Sequence, residues 1–130
     1  MLNQSGIKKV TATNVNQILF AVEPQVSVGA IMSATGTSAD SEGKKIVKAG
    51  TPVAGDLTAR GTAFTKATTT EGVSNAIGVL LHDVDVTAGN ANATVLIFGF
   101  VNLNMLDATT AALITTEVKT ALGAKVTFLK

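Results

Sequence analysis

Residues 78–102, GVLLHDVDVTAGNANATVLIFGFVN, constrain the fold of this chain more than any other segment. The segment predicts two apolar strands, over residues 77–86 and 93–101, whose side chains alternate between two faces. Residues 87–90, Thr-Ala-Gly-Asn, predict the turn between them, because Gly and Asn tolerate a positive φ. Apolar residues occur on both faces of each strand, so the pair requires cover on both sides. The centre of the molecule is therefore expected to be a scaffold.

The composition predicts a single domain that does not bind nucleic acid. The chain has 130 residues and no cysteine, so a hydrophobic core and not a disulfide framework must stabilise it. Ten basic and nine acidic residues leave a net charge of +1, and there are five Phe but no Trp or Tyr. Such a chain has neither the basic surface nor the stacking residues of a nucleic-acid-binding protein, and nucleic acid is not expected as a partner.

The chain is apolar for its size, with a mean hydropathy of +0.39 and 15% charged residues. No apolar run approaches the roughly 20 residues of a membrane-spanning helix, so no membrane span is expected. Residues 1–10 lack the apolar core of a signal peptide, and the absence of cysteine fits synthesis in a reducing cytoplasm. The excess of apolar residues instead predicts that another subunit covers part of the surface.

The N-terminal quarter predicts an arm that leads into strands. Residues 1–17 are interpreted as an arm and residues 18–22, Ile-Leu-Phe-Ala-Val, as a strand that ends near Pro24. This division gives an N-terminal arm and strand over residues 1–23 and a β-rich domain over residues 24–130. Residues 25–32 alternate as a further strand, and residues 33–43 predict a polar surface loop.

The remainder predicts short strands, frequent turns and one helix. Residues 44–53 are expected to form a strand whose Pro52 indicates a sheet edge. A helix over about 108–122 is predicted from Asp107 as N-cap, Gly123 as terminator and a buried stripe, and residues 125–129 predict a closing strand. The predicted class is a β-rich α+β fold. It is a small compact β domain, built as a barrel, a tulip-like barrel or a sandwich, with one helix in the C-terminal region.

Residues suited to catalysis or metal binding are scarce. With one His, no Cys and no Gly-x-Ser-x-Gly turn, no nucleophile and base are recognisable, so we expect neither an enzyme nor a cofactor. His82, Asp83 and Asp85 could bind a metal or form an acid–base pair, yet on a strand His82 projects away from the two aspartates. Turn hydrogen bonding is the favoured role for the aspartates, and no metal site is predicted.

A basic group, Lys44, Lys45 and Lys48, has two interpretations. It is typical of a solvated face that protects an edge strand from aggregation, and it could also meet acidic groups on a partner. The preceding Glu42 and Gly43 faintly suggest a phosphate-binding loop, but the first glycine and the magnesium-binding hydroxyl of that motif are missing.

Several short motifs together resemble the lambda-type head decoration proteins of tailed phages, the capsid cement proteins. The motifs are GVLL at 78–81, DVD at 83–85, a TVLI strand at 94–97, GFVN at 99–102 and, upstream, VKAGTPV at 47–53. The resemblance covers residues 44–106, about half of the chain, and its motifs are structural and not catalytic.

The resemblance implies a structural virion protein that binds the major capsid protein lattice from outside and stabilises it. Decoration proteins of this type sit as homotrimers at three-fold positions of expanded heads, held partly by an N-terminal segment. The protein would then be made in the host cytoplasm and reside on the capsid exterior. Physically, an apolar N-terminal segment can add a strand to an exposed sheet edge of the capsid. The residues predicted to bind the capsid are Ile7, Val10, Ile18, Leu19 and Phe20.

Three other functions compete with this interpretation. A head fibre base or another virion appendage would share the β domain. A soluble adhesion or carbohydrate-binding module is disfavoured because the chain lacks Trp and Tyr, the usual sugar-stacking residues. A small enzyme is disfavoured by the missing nucleophile and base.

Overall fold

Two long antiparallel strands, β1 and β9, form the spine of the molecule. The computed structural model describes residues 18–130. The strands in chain order are β1 Leu19–Met32, β2 Ile46–Val47, β3 Pro52–Ala54, β4 Thr65–Lys66, β5 Thr69–Thr70, β6 Val73–Ser74, β7 Gly78–Leu80, β8 Val84–Asp85, β9 Ala91–Asn102 and β10 Val126–Leu129. A 3-10 turn at Leu103–Met105 and two short helices, α1 Ala108–Ala111 and α2 Thr116–Leu122, lie between β9 and β10.

Six strands form one sheet around β9. Their order is β1-β9-β7-β3-β4, and β10 pairs with the part of β9 that β7 leaves free. The β9–β10 pairing is parallel, and the other pairings between named strands are antiparallel. Two further ladders, β2–β8 and β5–β6, complete the strands. The fold is a β-rich α+β domain, as the sequence predicts.

The core lies on both faces of β9, which confirms that the central ladder needs cover on two sides. Val95 and Leu96 are adjacent and fully buried, but they belong to different hydrophobic clusters. The first cluster contains Leu96 and is closed by residues of α2 and β10, namely Val118, Leu122 and Val126. The second cluster contains Val95 and is closed by residues of β1 and the 55–64 loop, namely Ala30, Met32 and Phe64.

The predicted strand over residues 77–86 is wrong in its middle, where the chain bends. Gly78–Leu80 pairs with β3 and β9, whereas Val84–Asp85 pairs with β2 in a separate ladder. The Asp83 carboxylate accepts the Ala49 backbone N–H at 2.7 Å and holds the bend against the turn after β2. The predicted turn at residues 87–90 is confirmed, with Gly89 at a φ of 129°.

The predicted boundary at Pro24 is also wrong, because β1 continues through it. From the Ala21–Phe100 pair to the Val26–Phe98 pair, β1 advances five residues while β9 advances two. The irregularity places Pro24 where the ladder is interrupted, so its missing N–H removes no regular hydrogen bond. The parts of β1 on both sides of Pro24 therefore belong to the main sheet.

The predicted strand over residues 44–53 is two strands with a turn between them. Ile46–Val47 pairs with β8, residues 48–51 turn, and Pro52–Ala54 pairs with β7 and β4. The prediction that Pro52 lies on an edge strand is wrong, because β3 has neighbours on both sides. It is instead the first residue of its strand, a position where the absent N–H is tolerated.

The predicted helix over 108–122 is interrupted at its centre. Residues 112–115 form turns, and Thr115 becomes the N-cap of α2, where its hydroxyl accepts the Val118 N–H at 3.3 Å. Threonine hydroxyls compete for backbone groups, which explains why this threonine-rich segment does not stay helical. The termination at Gly123 is confirmed, and Asp107 occupies the first N-cap without a side-chain hydrogen bond.

Candidate docking surface

Exposed apolar side chains cluster at one end of the β1–β9 ladder. Phe20 is 51% exposed, Val26 49% and Phe98 38%. Val26 and Phe98 are opposite each other in the ladder, so their side chains share a face. Phe20 lies at the same end of the ladder, between Leu19, the partner of Val101, and Ala21, the partner of Phe100. We name Phe20, Val26 and Phe98 the apolar patch.

The apolar patch lies where the ladder is irregular. All three register shifts of the β1–β9 pairing fall between Leu19 and Ser27. On β9, Gly99 adopts a φ of 153°, which an L side chain rarely takes, so the backbone conformation at this position favours glycine. A Cβ at this position would lie 3.3 Å from Leu96 Cδ1. Phe98, which precedes Gly99, is exposed although Leu96, two residues earlier, is fully buried.

The strands that carry the patch are almost free of charge. β1 and β9 contain 14 and 12 residues, and Glu23 is the single charged residue in the two sequences. Depletion of charge together with exposed aromatic residues is the composition of the buried centre of a protein–protein interface. Phe20 and Phe98 are also two of only five aromatic residues in the chain. The patch therefore has the chemistry of a protein-docking surface.

The outer edge of β1 is covered at its other end. The Arg60 guanidinium donates to the Gly29 carbonyl at 2.8 Å, and the Phe64 N–H donates to the Ile31 carbonyl at 2.7 Å. The Ser33 N–H in turn donates to the Phe64 carbonyl at 2.9 Å. Covering loops of this kind prevent an edge strand from pairing with another chain. No described residue provides such cover alongside residues 25–28.

The predicted capsid-binding residues fall into three groups. Ile7 and Val10 lie outside the described residues. Ile18 and Leu19 are buried in the first hydrophobic cluster at 1% and 8% exposure, so their side chains are occupied within the fold and not presented for docking. Phe20 is exposed and belongs to the apolar patch.

Sequence reasoning missed Val26 and Phe98 as surface residues. Phe98 lies in a strand that is expected to need cover on both faces, and Val26 lies in a strand that is predicted only to alternate. Alternation alone does not show which face receives cover. A usable signal was the long stretch without charge, which runs from Val86 to Leu106 in the sequence around β9. A solvated strand normally carries charged or polar side chains on its open face.

His82, Asp83 and Asp85 do not converge into one site. All three are exposed, and the aspartates serve different turns. Asp83 accepts the Ala49 N–H and lies 3.9 Å from the Lys48 ammonium, a half-exposed pair that contributes little to stability. Hydrogen bonds from the Thr87 hydroxyl and the Thr87 backbone N–H lower the pKa of Asp85. Within residues 18–130, no three His, Cys, Asp or Glu side chains are grouped to hold a metal ion.

The basic group is also dispersed. Lys48 faces Asp83, and the Lys45 backbone N–H donates to the Thr87 hydroxyl at 2.8 Å. Lys44 closes a turn in which the Asp40 carboxylate accepts two backbone N–H groups, which lower the pKa of Asp40. The loop that faintly suggested phosphate binding is therefore organised by an aspartate.

None of the helices between residues 18 and 130 has the length and hydropathy that crossing a membrane requires. No protein-family model matches this chain, and no curated protein sequence matches it.

Proposed function

We propose that this protein is a structural virion component, a head decoration protein that binds the outer surface of a tailed-phage capsid and stabilises it without catalysing a reaction. The resemblance of residues 44–106 to lambda-type decoration proteins supports the kind of partner. The apolar patch is the observation that carries the proposal, because it offers a docking surface that the chain's own described residues leave open.

The position of the patch fits attachment near the N-terminal segment. Ile18 is anchored in the core, and its carbonyl accepts the Asn102 N–H at 2.7 Å. Residues 1–17 therefore join the body at Ile18, two positions before Phe20 in the sequence. An arm and a patch in this arrangement can engage one region of a capsid lattice together, so their contributions to binding combine.

Binding of this kind stabilises a lattice by mass action. A ligand with affinity for the intact shell, and none for its separated subunits, shifts the equilibrium toward the shell. A homotrimer, as the resemblance implies, presents three patches and raises the avidity further. No chemical step is needed for this effect.

The decisive experiment measures binding to expanded heads that lack a decoration protein, assembled from the major capsid protein of the encoding phage. The double variant Phe20→Ser with Phe98→Ser should weaken binding by about tenfold or more, since aromatic anchors dominate interface energies. Val73→Ser is the matched control, because Val73 is 69% exposed on β6 and lies outside the β1–β9 ladder. Equal binding by both variants would remove the patch from the docking surface.

A truncation separates the arm from the body. Deleting residues 1–17 while keeping Ile18 should preserve the circular dichroism and thermal unfolding of the protein and weaken head binding. The full-length chain should raise the temperature at which undecorated heads rupture. Full protection of heads by the truncated chain would assign docking to the body alone, and no binding by the full-length chain would refute the decoration role.

A further inference from the structure

Backbone groups of β1 point alternately toward β9 and toward the outer edge. The carbonyls of Gly29 and Ile31 point outward, because Arg60 and Phe64 donate to them from the outer side. The pairing of β1 with β9 is regular from Ser27 to Met32, so the same alternation applies to Ser27.

The opposite strand supports this orientation independently. Thr94, the partner of Gly29, accepts the Leu81 N–H at 2.9 Å on the side away from β1. Leu96, the partner of Ser27, pairs with Val79 of β7 on that same side. Antiparallel pairs whose groups point away from each other are the non-hydrogen-bonded pairs of a ladder.

Three strong hydrogen-bonding groups of Ser27 and Gly29 are consequently open on the outer edge of β1. They are the N–H and C=O of Ser27 and the N–H of Gly29, and no described residue pairs with them. Ser27 and Gly29 are exposed. We name these three groups the open edge. An unpaired edge of this kind is a template for an added strand.

The surroundings of the open edge combine an apolar and a cationic group. Val26 precedes Ser27 in β1 and is exposed. Next to Gly29, a shallow open depression of about 430 Å³ is lined by Arg60 and Asn92 together with residues of β1 and β9. The Arg60 guanidinium uses one nitrogen for Gly29, and no described carboxylate pairs with the rest of it.

We propose that the open edge binds an extended segment of the partner by strand addition. The segment carries an apolar side chain toward Val26 and an acidic side chain toward Arg60. Main-chain hydrogen bonds to Ser27 and Gly29 would hold the added strand, and these two side chains would set its register. A carboxylate in the depression would form a charge-assisted hydrogen bond with the guanidinium. The identity of the partner as a capsid protein rests on the proposed function.

The test removes the outward N–H groups without touching the internal ladder. Ser27→Pro and Gly29→Pro each delete one open N–H, and Ser27→Ala and Gly29→Ala are their controls. A Cβ at position 29 meets no atom within 4 Å, so the glycine control fits. Each proline variant that retains the wild-type circular dichroism should bind undecorated heads about tenfold more weakly, with both controls unchanged.

Charge reversal provides a test that does not depend on proline. Arg60→Glu should weaken head binding by about tenfold or more, and Arg60→Gln should weaken it less. Lys130→Glu makes the same change in net charge at the exposed last residue and should leave binding unchanged. Folded proline variants and an Arg60→Glu variant that bind heads like wild type would overturn the strand-addition proposal and leave the decoration role intact.

A synthetic peptide separates this proposal from the capsid assignment. An eight-residue peptide of alternating Val and Asp should bind the full chain more tightly than its Val and Lys counterpart, and Arg60→Glu should abolish the preference. This result, with no binding to heads, would support the open edge and refute the capsid partner. Equal binding of the two peptides would refute the proposal that the bound segment carries an acidic side chain. Loss of oligomeric mass in Ser27→Pro by light scattering would identify a second copy as the occupant and overturn the proposal.

Discussion

The two ends of the β1–β9 ladder differ in how the exposed edge of β1 is protected from pairing with another chain. Over residues 27–32 the register is regular, and Arg60 and Phe64 cover the Gly29 and Ile31 carbonyls on the outer edge, next to the open edge. Over residues 19–26 the register shifts three times, Pro24 interrupts the edge, and apolar side chains face solvent. Protection against unwanted pairing is thus achieved by cover at one end and by irregularity at the other. The comparison shows that the exposed end avoids edge pairing while keeping an apolar face available.

The largest expected effect distinguishes the buried and exposed residues of β9. Leu96→Ala should lower the free energy of unfolding by about 2–5 kcal/mol, because Leu96 is fully buried and the substitution leaves a cavity. Phe98→Ala should cost less than half as much, since 38% of Phe98 is already exposed. Urea denaturation of both variants measures the difference. Equal losses would show that Phe98 is part of the core and not of a docking surface.

The second effect compares one glycine from each end of the ladder. Gly99→Ala should destabilise the fold by about 1–3 kcal/mol, because its φ of 153° strains any L side chain. Gly29→Ala should be neutral or stabilising by about 0.5–1 kcal/mol, because the position has room for a Cβ and glycine weakens a strand. Thermal unfolding gives both values. Changes of the same sign would contradict the contrast between an irregular and a regular end.

A smaller change in stability is expected at the bulge. Pro24→Ala restores a backbone N–H at an exposed position and should alter the free energy of unfolding by no more than about 1 kcal/mol. The main effect of the substitution should be increased self-association, because a proline no longer blocks strand pairing at this edge. Light scattering at increasing concentration should detect assemblies larger than those of the wild type. Unchanged mass would mean that the register shifts protect this edge without Pro24.

The smallest expected effect concerns the turn that leads into the regular end. The lowered pKa of Asp85 means that the folded state favours its carboxylate. Its stabilising contribution is therefore present above the ordinary aspartate pKa of about 3.9 and is lost as the pH falls through the lower folded pKa. Asp85→Asn should lessen the loss of stability below about pH 4 and have little influence on the pH dependence between 5 and 7. Urea midpoints at pH 7, 5 and 3 test this, and identical pH profiles would contradict it.

Local sequence patterns predicted those features that depend on neighbouring residues. The turn at residues 87–90 and the helix end at Gly123 follow from the φ preferences of Gly and Asn. The closing strand was also predicted, and its Val126 and Phe128 pack against the first cluster as alternation requires. The need for cover on both faces of β9 followed from apolar residues at successive positions. Each of these features can be inferred from the types and spacing of residues that are close together in sequence.

Tertiary structure decided where strands break and which apolar residues remain exposed. The bend at Asp83 depends on the Ala49 N–H, and the cover of β1 depends on Arg60, both more than 30 positions away in sequence. Pro24 and Phe98 read locally as a boundary and a buried residue, yet the pairing of β1 with β9 made them a bulge and a surface residue. Periodicity specifies which side chains share a face, because it reflects backbone geometry. Whether that face meets core, solvent or a partner depends on distant segments, whose position local sequence does not encode.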